Sequence, residues 1–380
     1  MAALYIFNPE HDYALANNDP HFMPPASAVK FALDCALFLS YIVPEDATLF
    51  LPHSTNDKFY SVNNHTWSSE TSDFQSIQPW GWDALVLHQC QEHFPYKSLE
   101  YENMVITVRR LAHRRNTIEA LEYLKRHCPD EIHLPEPAQE LFSTDEIEEY
   151  IRKYQHVIFK SPYSGNGRGH LYAHERSNPT LLRQGGGVIR RQGSIMAEPL
   201  YEVVQDFAME FRCHNGQTEF SGYSLFNTLH YGYAGNLLLT DTQIEARLIQ
   251  WIPEAHLHAI QDHLRDYITH SIAPFYEGYL GVDMFVYQQD NHFYLNPMVE
   301  MNLRMTMGMA AHILVERYLH PEAKGIMRLE YQPKFGRLLQ QIQNQEPLTI
   351  KDGKWHHGFL ALNPVTEETQ YAITINITNI

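Results

Sequence analysis

Between residues 281 and 304 the sequence spells two extended segments joined by a polar turn, and this limits the folds open to the chain. The second segment, 294–304, carries Glu300, Asn302 and Arg304 on alternate residues. In extended backbone, side chains at i, i+2 and i+4 share one face. That face holds two hard oxygen ligands and one fixed cation, a set that suits Mg²⁺ and phosphate better than a protein core. The first segment, 281–287, reads as a strand with another carboxylate, Asp283, at its start. Residues 288–291 are turn-like, so the pair predicts a hairpin that brings Asp283 close to Glu300 and Asn302.

Two stretches upstream carry related chemistry. A strand at 156–160 delivers Lys160 into a loop with Gly165, Gly167 and Gly169 on alternate positions and Arg168 between the last two. Glycines let backbone N–H groups approach phosphate oxygens, and a lysine adds a point charge. The loop lacks the GK[ST] of a Walker A motif and the spacing of a dinucleotide fingerprint. Taken alone it reads equally as a charged hairpin turn. Next, a strand over 193–200 ends in Glu198-Pro199-Leu200, with Asp206 and Glu210 following on a further strand. Taken alone, Glu198 is an exposed strand end. In the functional reading, the segment is a linker whose backbone edges bind adenine, with Asp206 or Glu210 near ribose or metal.

These three sites, in this order, resemble the ATP-grasp superfamily over about residues 110–310. Glu300-x-Asn302-x-Arg304, with Asp283 on the preceding strand, is similar to the metal signature of biotin carboxylase and carbamoyl phosphate synthetase. Lys160 with Gly165, Gly167 and Gly169 looks like the phosphate-covering loop, and Glu198 matches the hinge glutamate before the adenine site. The family's other nucleotide-binding lysine precedes a helix. That place is held here by Arg114-Arg115, with Arg115 assigned to the nucleotide. The resemblance implies an α/β chain with an α+β ATP-grasp fold. An α/β pre-ATP-grasp domain over 1–108 precedes an N-terminal lobe over 109–195 and a C-terminal lobe over 196–330. A helix and a β tail follow over 331–380.

The resemblance also implies a reaction. ATP lies between two lobes, with Lys160 on the α and β phosphates and Arg168 reaching the γ-phosphate. Asp283, Glu300 and Asn302 hold Mg²⁺ or Mn²⁺. A substrate carboxylate becomes an acylphosphate, stabilised by Arg304, and an amine or amino acid then displaces phosphate. The glycine loop closes to keep water out. An ATP-grasp kinase or a non-catalytic nucleotide-binding protein would retain many of the same residues, so these stay as alternatives. No biotin-attachment motif, glutaminase triad or carrier domain is visible, which favours a stand-alone ligase.

Composition narrows the partners. A formal net charge of -17 argues against nucleic acid or an anionic membrane. The four cysteines are far apart and form no CxxC pair, so reduced thiols in a cytoplasmic setting are expected. The N-terminus reads as a strand rather than a signal peptide, and no apolar run reaches the ~18 residues of a membrane span. Small-molecule substrates are the expected partners, and a homo-oligomer is compatible with the composition.

The first hundred residues read as strand, helix, strand, loop, strand, a layered α/β pattern. In it 48–52 and 84–87 are short parallel-type strands, and 54–76 is a loop. Helices are expected from 117, at 144–154, at 254–273 and at 333–344, with a β-prone tail at 371–377. Asn8, Glu10, His11 and Asp12 follow the first strand, where open α/β sheets place ligands. They read either as a substrate contact or as a capped turn. The loop 231–236 reads as acceptor lining or as plain surface, and Arg212 is expected to face the cleft of Glu210.

Overall fold

The computed structural model describes residues 3–54, 58–70, 73–165, 169–229 and 232–379. Among the described residues helices and strands are mixed, and the strands form three sheets. The first comprises β1 (Ala3–Ile6), β2 (Thr48–Phe50), β3 (Phe59–Ser61), β4 (Thr66–Ser68) and β5 (Ser76–Pro79), in the order β4-β3-β2-β1-β5. β1 pairs parallel with both β2 and β5. Two expectations need correction here. Residues 84–87 are not a strand but the start of the helix Ala84–His93, and the parallel strand is Ser76–Pro79. A four-residue apolar run does not reveal its period. What decides it is Asp83, whose carboxylate accepts the Val86 N–H at 2.8 Å and caps the helix. The stretch 54–76 is not all loop, since β3 and β4 extend the sheet as an antiparallel pair.

The second sheet is small: β6 (Gln139–Leu141), β7 (His156–Lys160), β8 (Leu171–His174) and β9 (Ile195–Pro199), in the order β6-β9-β7-β8. The helices Thr144–Tyr154 and Pro179–Gln192 contribute Ile147, Ile151 and Val188 to a core that includes Phe159 and Ile195. Ser143 caps the first of these helices, accepting the Glu146 N–H at 3.2 Å.

The third sheet contains β10 (Glu202–His214), β11 (Gln217–Leu229), β12 (Gly232–Leu238), β13 (Gly278–Gln289), β14 (His292–Asn302), β15 (Ala323–Tyr331), β16 (Thr349–Lys351), β17 (Lys354–Ala361) and β18 (Tyr371–Asn379). Their order is β14-β13-β10-β11-β12-β15-β18-β17-β16. The predicted hairpin is β13–β14. Its turn residues, Asp290 and Asn291, both take positive φ, 49° and 61°, as a two-residue hairpin turn of type I′ requires. Asp283 lies directly across from Glu300, and Gly281 across from Asn302. The register shifts between Asp283 and Phe285, and Pro297 sits in the irregular stretch, where its missing N–H costs no ladder bond. There the Asn296 side chain accepts the Met298 N–H at 3.1 Å.

β14 is an edge strand, and the helix Asn116–His127 packs along it. One core joins β1, β5 and the helix Ala84–His93 to β10, β13 and the helix Glu254–Ser271. A second joins residues 35–51 to the helix Met307–Tyr318 and to β18. The N-terminal sheet is therefore packed onto the C-terminal half rather than hanging from it. No helix among the described residues is long and apolar enough to cross a membrane.

Candidate active site

A cleft of about 910 Å³ opens between the small second sheet and the hairpin side of the third. Lys160, at the end of β7, enters it from one side. Its Nζ is 2.7 Å from Glu198 Oε2 on the neighbouring β9, and both side chains are nearly buried. Leu200 and Tyr201 continue the wall beyond Glu198. Together with Ile158, Met284, Phe285 and Val299 they make an apolar end suited to a flat ring. Tyr201 packs against Phe285 and Tyr287, with centroids 5.7 and 4.4 Å apart. Asp206 lies on the same wall and accepts the Thr228 hydroxyl at 2.7 Å, while burial raises its pKa.

The hairpin supplies the opposite end. Asp283, Glu300 and Asn302 all line the cleft. Burial pushes the Asp283 pKa up, and the facing Glu300 carboxylate adds to the rise, outweighing the Asn302 amide that donates to it at 3.1 Å. Two carboxylates held across a strand pair, with an amide oxygen beside them, form a hard-oxygen set. A divalent cation would relieve their mutual repulsion. The donor set therefore fits Mg²⁺.

Arg304 follows the hairpin. Its Nε and Nη2 donate to the two carboxylate oxygens of Asp12, each at 3.2 Å, and Nη1 donates to the Met305 carbonyl. Burial raises the pKa of Asp12, but the charge and hydrogen bonds of Arg304, with His11 and Arg114 nearby, together outweigh it, and the net shift is downward. Of the turn after β1, Asp12 is the residue that reaches this site. A Cβ on Gly165 would collide with the Asp12 carboxylate, so the absent side chain lets the stem of the glycine loop close on this turn. Asn8 and His11 instead bond Asp83, at 3.1 and 3.0 Å, and Glu10 bonds His53 at 2.9 Å. Those three brace the turn.

Glu210 on β10 also lines the cleft and is fully buried. Its Oε1 accepts the Thr306 hydroxyl at 2.9 Å, while Oε2 has no partner. Burial raises its pKa to about 8, with the Asp283 carboxylate contributing further. Thr306 caps the helix Met307–Tyr318 by accepting the Met309 N–H at 2.8 Å. Gly308, in that helix's first turn, leaves room for the carboxyl group, and a Cβ there would strike Glu210 Oε1 and Ser224 Oγ.

The remaining predicted positions divide. Gly165 lines the cleft, whereas Gly169, with φ of 78°, does not. Gly167 and Arg168 lie outside the described residues. Arg115 is half exposed and pairs with Glu140 at 2.7 Å, so it is Arg114 that turns inward, to Glu300 Oε2 at 2.7 Å. Of the loop 231–236, Tyr233 and Asn236 line the cleft, and Tyr231 lies outside the described residues. Arg212 is exposed and lies over the Tyr279 ring, 5.7 Å from its centroid, not in the cleft. It shares Glu210's face of β10, opposite the core face of Phe207, Met209, Phe211 and Cys213, but lies beyond the residues that line the cleft. Sequence reasoning missed His170, which borders the cleft; burial, then Lys160 and Arg114, lower its pKa to about 3, keeping it neutral.

Comparison with solved structures matches this architecture over the whole chain. N5-carboxyaminoimidazole synthetase from Staphylococcus aureus, complexed with ADP, is 14% identical, with 100% of this chain and 94% of that one covered and a TM-score of 0.52. The chain has an ATP-grasp fold. An N5-carboxyaminoimidazole synthase from Aspergillus clavatus, in complex with ADP and 5-aminoimidazole ribonucleotide, superposes similarly. It is 9% identical, with 100% of this chain and 94% of that one covered and a TM-score of 0.51. No family model matches the sequence, and no curated protein matches it. The similarity is one of fold, and the functional argument rests on the residues in the cleft.

Proposed function

We propose that the protein is an ADP-forming ligase that activates a small carboxylate with ATP and joins it to an amine. The observation that carries this reading is the single cleft in which Lys160, an apolar slot, three hairpin oxygen donors and Arg304 converge. Lys160 and the glycine-loop stem would take the phosphates, and the slot beside Leu200 and Tyr201 the adenine. Asp283, Glu300 and Asn302 would hold Mg²⁺, which would supply neutralising charge to the phosphates. The solved neighbours with the same fold were crystallised with ADP, which supports a nucleotide in this cleft.

The chain's own residues then set the chemistry. A substrate carboxylate oxygen forms a bond to the γ-phosphorus as the bond from that phosphorus to the β–γ bridging oxygen breaks, releasing ADP. The amine attacks the acyl carbon and loses a proton, and phosphate departs with the carboxylate oxygen. Arg304, oriented by Asp12, donates N–H groups toward the charge that develops on the acyl and phosphoryl oxygens. Pre-oriented donors of this kind are worth a few kcal/mol.

The test is isotopic. With ¹⁸O in the substrate carboxylate, one label should appear in the released phosphate, and ADP formation should require the amine. A thermal-shift screen with an ATP analogue, Mg²⁺ and pools of small acids and amines would choose the substrates. A stable phosphoester product with no amine requirement would replace the ligase by a kinase. Tight ADP binding without turnover on any pool would make the protein a nucleotide-binding module.

A further inference from the structure

Arg114 lies between the helices Glu102–Leu111 and Asn116–His127 and does not line the cleft. Its side chain is only 4% exposed, so nearly every contact it makes is with protein. Nη1 donates to the Ser161 carbonyl and, at 2.8 Å, to Ser164 Oγ. Nη2 donates to the Ser164 carbonyl at 3.0 Å and pairs with Glu300 Oε2 at 2.7 Å. Its backbone N–H reaches the Pro162 carbonyl at 3.2 Å. Residues 161–164 are the stem that leads from Lys160 to the glycine loop, while Glu300 belongs to the hairpin of the other sheet. One planar fork therefore ties the stem to a carboxylate of the cation set.

A brace for the stem alone would need only its carbonyl contacts. A buried guanidinium is costly unless it is paired, and this one takes its counter-charge from a carboxylate that faces the cleft. A divalent cation at Glu300 would compete with Arg114 for the same negative charge. By linkage, whatever the cation does to Arg114 the stem must return to the cation.

We propose that Arg114 is a positioning residue that couples cation binding at Glu300 to the set of the glycine-loop stem. The inference rests on the nucleotide and Mg²⁺ assignment of the cleft made above. It gives Arg114 two separable effects. Its charge opposes the cation, and its fork geometry holds the stem on which nucleotide affinity depends.

Binding measurements on the full-length chain separate them. ADP affinity is measured at saturating Mg²⁺, and the Mg²⁺ half-saturation concentration at saturating ADP, for wild type, Arg114→Lys and Arg114→Gln. Both variants should weaken ADP by about tenfold, within the usual range of coupling between sites. Arg114→Gln should in addition lower the Mg²⁺ half-saturation severalfold, and Arg114→Lys, which keeps the charge, should leave it near wild type. Amide exchange over residues 161–165 should quicken in both. If both constants weaken together, or neither moves, Arg114 is a structural brace and the coupling is overturned. If Arg114→Gln does not fold, the lysine variant decides: wild-type ADP affinity with wild-type exchange in the stem refutes the proposal. A wild-type chain whose ADP binding ignores Mg²⁺ would instead overturn the cleft assignment itself.

Discussion

Glu210 offers a perturbation whose size can be worked out. Its carboxyl group is buried between β13 and the first turn of the helix Met307–Tyr318, with one oxygen on Thr306 and the other unpartnered. Burial lifts its pKa from 4.5 to about 8. Between those values the folded chain holds a proton that the unfolded chain has released. This contribution to stability is fully present below pH 4.5 and is lost as pH rises through about 8. The slope for one proton is about 1.4 kcal/mol per pH unit, which sets a ceiling of roughly 5 kcal/mol across the window. Glu210→Gln keeps the shape and a polar tip but cannot ionise. Urea unfolding midpoints, read in EDTA at intervals from pH 5 to 8.5, should therefore show wild type losing ground to Glu210→Gln by about 1 kcal/mol per unit. Other titrating groups are common to both proteins and cancel in the difference. Parallel profiles, or a wild type that gains on the variant as pH rises, would refute the claim that this carboxyl is buried protonated.

Three further outcomes are expected. Glu300→Gln and Asn302→Ala should each abolish Mg²⁺-dependent ATP turnover while circular dichroism keeps the wild-type fold, and wild-type turnover in either would remove the hairpin from the site. Asp12→Ala should free the Arg304 fork and lower kcat by about 10- to 100-fold with a smaller change in KM for ATP, as misorientation of a catalytic group does, and steady-state kinetics checks this split. Gly308→Ala, whose new Cβ would strike Glu210 Oε1 and Ser224 Oγ, should cost about 1–3 kcal/mol in thermal or urea unfolding.

The hairpin was legible because its signals are local. Alternation sets the faces, and a polar two-residue turn sets the register, so Asp283, Glu300 and Asn302 could be brought together on paper. The fold followed from the order of three such local signals, since the resemblance they carry is to an ATP-grasp chain. What stayed hidden was decided at long range. The Asp12–Arg304 clasp spans 292 positions, and nothing near Asp12 announces its partner. The choice between Arg114 and Arg115 depends on how the following helix is entered, because adjacent side chains point apart. Arg115 meets Glu140 there, and Arg114 meets Glu300. The run 84–87 was misread because four apolar residues serve a helix or a strand equally, and a capping aspartate one residue earlier decided it.

The placement of β18 bears on how the protein is made. This strand is inserted between β15 and β17, in the interior of the nine-stranded sheet, yet it comes from residues 371–379. While a ribosome is still translating, the earlier strand β15 has no neighbour on that side, and Ile373, Ile375 and Ile377 are missing from the core they complete. The half of the sheet that lines the cleft can be assembled by then, but its far half must wait. Nascent chains stalled before residue 371 should thus be prone to capture by chaperones, and a cell that truncates the message late would accumulate an unclosed β edge rather than a slightly shorter folded protein.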